Sequence, residues 1–284
     1  MSKRGWTLFL ALGLVWGMPY LLIRIAVADF DPLVVAFGRT LIGALLLLPV
    51  ALHRNALTPA FNRWKWLIAF TVIEISVPWL LLGHAERHLN SSTAGLLVAV
   101  VPLMAAVIMS RLGHEHLETR RLAGLGIGFA GVAALVGLDV HLSDFVAVGA
   151  VLVTALCYAV GPIIINRKLA DVPPLGVITA SLILATVLYA PFAPWLWPVQ
   201  ITAPAAWSVL GLGVVCTAIA FILFFALIAE VGPSRATVIT YVNPAVAIVL
   251  GALVLAEPLT LGMAIGFPLV IAASMLGTSR GRAA

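Results

Sequence analysis

Long apolar runs, each bounded by charge, proline or glycine, succeed one another along the whole chain. Five of them carry no charge over about the 20 residues that a helix needs to cross a bilayer. They are Gly5 to Ile23, Leu89 to Ser110, Phe145 to Ile165, Ala236 to Ala256 and Pro258 to Ser279. The same criterion, relaxed to admit single charges, predicts ten spans. They are Trp6–Val27, Pro32–Leu52, Trp64–Leu82, Ser92–Ser110, Arg121–Gly137, Asp144–Ile165, Pro174–Trp195, Ala205–Ala229, Pro233–Leu253 and Leu259–Thr278. The stretch from Val172 to Ala229 holds no charge and is too long for one span. Its Pro194-Trp195-Leu196-Trp197-Pro198 segment and Pro204 divide it, because proline ends helices and Trp favours the membrane interface.

Composition supports lipid as the solvent. Of 284 residues, 63% are hydrophobic and 10% charged, with a mean hydropathy of +1.15; soluble chains carry about 25% charge. Lys3 and Arg4 ahead of an apolar run fit a first membrane helix better than a signal peptide, given the equal hydrophobic density downstream. The net charge of +5 does not predict nucleic-acid binding, because the basic residues lie in short loops and not in one patch. Cys157 and Cys216 fall inside apolar helices and read as free thiols.

Charge then orients the spans. With the N-terminus in the cytoplasm, thirteen of the sixteen basic residues fall inside: Lys3, Arg4, Arg54, Arg63, Lys65, Arg111, Arg120, Arg121, Arg167, Lys168, Arg235, Arg280 and Arg282. The outer loops hold Arg87 together with Asp29, Asp31, Glu86, Asp139 and Glu257. This bias predicts both termini in the cytoplasm and a multi-pass protein of the cytoplasmic (inner) membrane. No loop is long enough for a separate soluble domain, so function is expected within the helices.

Sliding the chain by 142 residues aligns Pro32 with Pro174, Pro102 with Pro244, Glu115 with Glu257, Gly124 with Gly266 and Trp16 with Tyr158. Two units follow, 1–142 and 143–284, each of five helices. An odd number makes the second unit enter from the opposite side. The predicted fold class is therefore all-α, ten transmembrane helices in two inverted five-helix repeats. Such repeats recur in secondary transporters, where the halves exchange conformations around a mid-membrane site.

The residues at this point resemble the EamA-type, ten-helix branch of the drug/metabolite transporter superfamily. The likeness rests on Trp16-Gly17, Pro32 with Ala36-Phe37-Gly38-Arg39, the Ala94…Pro102 and Ala236…Pro244 pair, and Ala256-Glu257-Pro258-Leu259-Thr260 leading to Gly262 and Gly266. It implies a two-repeat bundle with a central cavity that moves small solutes, often amino acids or their derivatives. The first repeat departs from the pattern at Gly113-His114-Glu115-His116-Leu117, and Ser181 and Asn166 stand where the first half has Arg39 and Arg24.

Charge inside the bilayer is costly, roughly 2.5–3.5 kcal/mol at the centre, so each such group calls for a reason. Glu74 falls near the middle of the third span and is a candidate for solute contact or proton coupling, or else a structural partner for an arginine. Arg39 lies about 10 Å below the outer edge of the second span. Arg24 is nearer that edge and within snorkelling reach. Trp16, Tyr20 and Arg24 share one stripe of the first helix at i, i+4 and i+8. Thr237, Tyr241 and Pro244 share a face of the ninth, with Asn243 beside them. Substrate-binding candidates are thus Trp16, Tyr20, Arg39, Glu74, Tyr241 and Asn243, with Arg24, Tyr158 and Thr237 as further candidates. Pro78, Pro102 and Pro244 are candidate hinges, each freeing a backbone carbonyl. Two arginines against one glutamate favour an anionic or zwitterionic solute. Gly124-x-x-x-Gly128 and Gly262-x-x-x-Gly266 read as close helix contacts.

No metal site is expected: His84 and His88 lack a third ligand, and His114-Glu115-His116 does not put both histidines on one helical face. There is no P-loop and no visible catalytic pair, so neither ATP-driven transport nor an enzyme is predicted, and no cofactor. The expectation is a secondary transporter or facilitator for a small amphipathic metabolite, such as an amino acid or related organic acid, by alternating access and in the export direction. Its partners are the solute, the lipid bilayer and, at Glu74, candidate protons; a monomer is sufficient. The competing readings are a multidrug exporter of organic cations and a non-transporting scaffold, sensor or scramblase.

Overall fold

The computed structural model describes residues 2–111, 119–139, 141–232, 239 and 242–278. Among these, every regular element is helical. Helix α1 spans Lys3–Ala26 and α2 Pro32–His53. Both begin on side-chain caps: Ser2 Oγ accepts from the Gly5 N–H at 2.9 Å, and Asp31 Oδ1 accepts from the Leu33 N–H at 2.9 Å. Pro32 follows as the first residue of α2, where its missing N–H costs nothing. A short α3, Leu57–Asn62, lies in the connection to the third apolar segment.

That segment is one continuous helical rod in three parts: α4 Trp64–Phe70, a π-helical turn Thr71–Ser76 and α5 Val77–Ala85. Pro78 explains the widened turn. It has no N–H for the Glu74 carbonyl, and its ring would press on that carbonyl in a regular helix. The Val77 N–H bonds instead to Val72 O, five residues back. The eighth apolar segment repeats the device as α11 Ala203–Gly213, a π turn Val214–Ile219 and α12 Ala220–Val231. No proline follows it. Here Thr217 Oγ1 donates to Leu212 O at 2.8 Å, which stabilises the i to i−5 turn from its own side chain.

The fourth segment is broken. Helix α6 runs Ser91–Val98, the chain turns at Ala99 and Val100, and α7 resumes over Val101–Arg111 with Pro102 second. Helix α13, Asn243–Val254, likewise starts with Pro244 second. Proline therefore opens a helix at both places. The remaining elements are α8 Thr119–Asp139, α9 Phe145–Lys168, α10 Pro174–Tyr189 and α14 Leu261–Thr278. Helix α10 ends before the predicted Trp195, because Pro191 and Pro194 lack the donors to continue it, and Ala193–Leu196 forms a 3-10 turn.

Among the described residues six rods are long and apolar enough to cross a membrane: Lys3–Ala26, Pro32–His53, Trp64–Ala85, Ser91–Arg111, Phe145–Lys168 and Ala203–Val231. Four shorter apolar helices accompany them: Gly126–Leu138, Pro174–Tyr189, Asn243–Val254 and Leu261–Ala273. The chain is a membrane protein by this measure. Helix α2 lies along α10, α5 along α9, α6 along α13, and α1 against both α13 and the α11–α12 rod. The longest contact joins α8 to α14. There Gly131 and Gly266 bring the backbones together: a Cβ on Gly266 would sit 2.9 Å from Gly131 O, so neither position tolerates a side chain.

Candidate functional site

Arg39, on α2, is buried, with 7% of its surface exposed. Its Nε donates to Thr217 Oγ1 at 3.0 Å. The Thr217 hydroxyl donates in turn to Leu212 O, so its lone pair is fixed toward the guanidinium. The π turn of the eighth segment is what brings that hydroxyl inward. On another side, Arg39 Cζ lies 3.7 Å from the centroid of the Trp79 ring on α5, a cation–π contact strengthened by the low-dielectric surroundings. Tyr20, Tyr158, Cys216 and the Glu86 carboxyl lie within electrostatic reach. Among the described residues Arg39 makes no ion pair with a carboxylate.

Glu74 projects from the π turn of the third segment against α9. A Cβ on Gly161 would collide with Glu74 Oε2 and lie 2.7 Å from its Cδ, so the glycine is the hollow that holds the carboxyl. Oε2 is enclosed and has no hydrogen-bond partner among the described residues. Tyr158, one turn before Gly161 on the same face of α9, is in electrostatic reach of both Glu74 and Arg39. The two charges therefore share a neighbour without pairing. Below them Tyr189 Oη donates to Ser76 O at 2.6 Å, using a carbonyl of the π turn.

The stripe read on α1 divides among three surroundings. Trp16 packs on α12, its ring centroid 4.8 Å from Phe224 and 6.2 Å from Phe221. Tyr20 is buried, its ring edge 3.5 Å from where a Gly95 Cβ would stand. Arg24 Nη1 donates to the main-chain oxygen of Glu86. Arg24 also lines a cavity of about 770 Å³ at this end of the bundle, with Asp29, Arg87, Asn90, Thr202 and Glu257 on its other walls. Neither Arg39 nor Glu74 is among the residues lining it.

The cavity's rim is cross-linked. Asp29 Oδ2 accepts from Thr202 N at 2.8 Å and Thr202 Oγ1 at 2.6 Å, which holds the Asp29 carboxyl below the usual carboxylate range. Glu257 accepts from Ser91 N at 2.8 Å, Ser92 N at 3.1 Å and Ser92 Oγ at 2.5 Å, and so caps α6. Arg87 pairs with Asp31 at 3.3 Å. Glu86, read from the sequence as an outer-loop acid, is instead fully buried with both carboxyl oxygens unpartnered among the described residues. At the opposite end, Arg63 Nη2 meets Asp171 Oδ2 at 2.6 Å.

Asn243 opens α13, and its Oδ1 is buried without a partner among the described residues. Its main-chain oxygen lies 3.1 Å from the position a Gly17 Cβ would take, so α1 and α13 meet closely there. Thr237 and Tyr241 lie outside the described residues, as do His114, Glu115 and His116. Among the described residues no group of three His, Cys, Asp or Glu side chains could hold a metal ion. His84 and His88 stack on each other, with ring centroids 5.5 Å apart. The sequence reading missed Thr217, Trp79, Gly161 and Glu86. Thr217 matches Glu74 only through the two π turns, at an offset of 143 residues, whereas the 142-residue repeat pairs Glu74 with Cys216, so the sequence carried no signal for it.

Comparison with known proteins adds family context. The family model described as "EamA-like transporter family" matches twice, over residues 3–137 and 145–278. The chain is 29% identical to the uncharacterized transporter YvbV of Bacillus subtilis, over 100% of this chain and 94% of that protein. It is 29% identical to the inner membrane transporter YedA of Escherichia coli strain K12, over 85% of this chain and 79% of the other. It is 25% identical to a probable terminal-alkyne amino-acid exporter of Streptantibioticus cattleyicolor, over 97% and 93% of the two chains. A solved crystal structure covers 98% of this chain and 97% of its own with a TM-score of 0.68 at 19% identity, a likeness of fold alone.

Proposed function

The chain belongs to the EamA-like transporter family, and on that premise we propose that it is a secondary transporter exporting a small amphipathic carboxylate, such as an amino acid, by alternating access. Transport across a membrane is the activity of its family; substrate, direction and mechanism are our reading. The observation that carries it is the Arg39 centre. A guanidinium that makes no ion pair with a carboxylate among the described residues, with Trp79 against it and two tyrosines in electrostatic reach, offers a solute carboxylate its counter-charge and an apolar tail an aromatic wall.

The elements around Arg39 come from both halves. Tyr20, Arg39 and Trp79 belong to 1–142; Tyr158 and Thr217 belong to 143–284. In this reading the six long and four shorter apolar helices form ten spans, and the halves are inverted five-helix repeats. Three features support it: the twofold family match, the paired π turns, and the paired contacts of α2 with α10, α6 with α13 and α8 with α14. Both termini are then cytoplasmic in an inner membrane, and the Arg24 cavity faces outward. Rocking of the halves about the Arg39 centre opens it to each side in turn. The amino-acid substrate draws on the name of the exporter from Streptantibioticus cattleyicolor. Glu74, Trp16, Asn243, Thr237 and Tyr241 remain candidates for solute contact, Glu74 for a proton, and Pro78, Pro102 and Pro244 for hinges.

The test is flux in proteoliposomes with radiolabelled leucine and phenylalanine. Saturable flux that falls at least about tenfold in Arg39→Gln is expected, the size of one lost charge-assisted contact. No flux, or flux restricted to quaternary ammonium compounds, overturns the proposal.

A further inference from the structure

The Arg24 cavity lies apart from the Arg39 centre and carries its own chemistry. At about 770 Å³ it has the volume of a small-molecule site. Its charged walls are mostly committed: Asp29 to Thr202, Arg87 to Asp31, and Glu257 to the start of α6. Arg24 is different. One of its five N–H donors is spent on the main-chain oxygen of Glu86, and no carboxylate lies within ion-pair distance of it among the described residues. A planar cation on a cavity wall with donors to spare matches a carboxylate.

Behind Arg24 lies the second observation. The Glu86 carboxyl is fully buried, and neither oxygen has a partner among the described residues. A bare anion is costly in that position; a protonated acid is not. The groups facing Glu86 are Arg24 and Tyr20 from α1, Arg39 from α2, and Glu257 from the stretch before α14. Burial is the largest influence and pushes the carboxyl up, Glu257 adds to it, and the two arginines oppose it.

We propose that this cavity binds a solute carboxylate on Arg24 together with a proton on Glu86. Without its proton, Glu86 becomes an anion beside Arg24 and competes with the solute for it. With the proton, Arg24 turns its whole charge to the cavity. Solute and proton then favour each other's binding by the same factor. The inference deepens the transport reading by naming a first capture site and a coupling acid distinct from the Arg39 centre and Glu74.

The test uses purified full-length protein and two probes, N-acetyl-L-leucine as an anion and choline as a cation, titrated by calorimetry between about pH 5.5 and about pH 8. The anion probe stays ionised throughout. Its affinity is expected to weaken with rising pH, by up to tenfold per pH unit above the Glu86 titration. Glu86→Gln, which mimics the protonated acid, should keep the low-pH affinity and lose the pH dependence. Arg24→Gln should weaken binding at least about tenfold at low pH. Arg39→Gln should keep the low-pH affinity, which separates this site from the central one, while moving the loss of affinity to higher pH, because a positive charge facing Glu86 is gone. No binding of N-acetyl-L-leucine, stronger binding of choline, an unchanged pH dependence in Glu86→Gln, or loss of binding in Arg39→Gln but not in Arg24→Gln each overturns the inference. Flux measured in parallel separates the two claims: leucine flux without this binding removes the capture site alone, and binding without flux removes the transport reading alone.

Discussion

Gly161→Ala tests whether Glu74 is held where the structure puts it. The added methyl would overlap Glu74 Oε2, lie 2.7 Å from its Cδ and 3.2 Å from its Cβ. The carboxyl end could swing aside, but the Cβ contact is set by the backbones of the π turn and α9, so rotation relieves only part of the clash. Overpacking of this kind costs about 1–3 kcal/mol. For a chain of this size each kcal/mol lowers Tm by roughly 2–4 °C, so a loss of a few to about ten degrees is expected. Glu74→Ala removes the Oε2 and Cδ atoms and leaves the Cβ contact alone. In that background Gly161→Ala should cost less than about 1 kcal/mol, a coupling of about 1–2 kcal/mol between the two positions. The assay is thermal unfolding of the four proteins in one detergent, followed by tryptophan fluorescence. A Gly161→Ala protein as stable as the parent, or one whose loss is the same with and without Glu74, refutes the placement.

Two further outcomes follow from the ends of the bundle. Glu257→Ala removes the acceptor of three hydrogen bonds at the start of α6 and should destabilise by about 1–2 kcal/mol, with Glu257→Gln retaining part of it, as read by chemical unfolding in detergent. Asp171 is held below the ordinary carboxylate range, first by its hydrogen bond from Arg63. Its contribution is therefore present above the unfolded value of about 3.9 and is lost as pH falls through the lower folded value. Asp171→Asn should remove that acid-side loss from a Tm-against-pH curve; a curve identical to the parent's would count against the pair.

Helix positions and proline breaks were legible in the sequence because hydrophobic length and missing N–H groups act locally. Pro102 and Pro244 both open helices, as their chemistry requires. The π turns were not legible. They add one residue to a turn without changing which residues are apolar, and in the eighth segment no proline announces them. Glu86 misled for a related reason: an acid beside Arg87 between two apolar runs reads as a solvated loop, yet its side chain is fully buried and its main-chain oxygen accepts from Arg24. The α1 stripe shows a third limit. Periodicity put Trp16, Tyr20 and Arg24 on one face, but a face that spans two helical turns meets several neighbours, and here they are Phe224, Gly95 and Glu86.

The charge distribution between the halves follows from packing. Arg39 on α2 has Ser181 as its counterpart on α10, and Ser181 is fully buried with its hydroxyl unpartnered among the described residues. Glu74 in the first π turn is matched 143 residues on by Thr217 in the second. Each pair thus has one charged member, both in the first half, and each charge leans on the second half: Arg39 on Thr217, Glu74 on Gly161. Were both members of a pair charged, the interior would have to bury a second charge, at a further desolvation cost. Small or hydroxylated residues in the second half avoid that cost and supply a hydrogen-bond acceptor at Thr217 and room at Gly161. Any relative motion of the halves must consequently break the Arg39–Thr217 bond or carry Glu74 out of the Gly161 hollow. Under the alternating access proposed above, these two contacts are where solute binding and the motion of the bundle would be coupled.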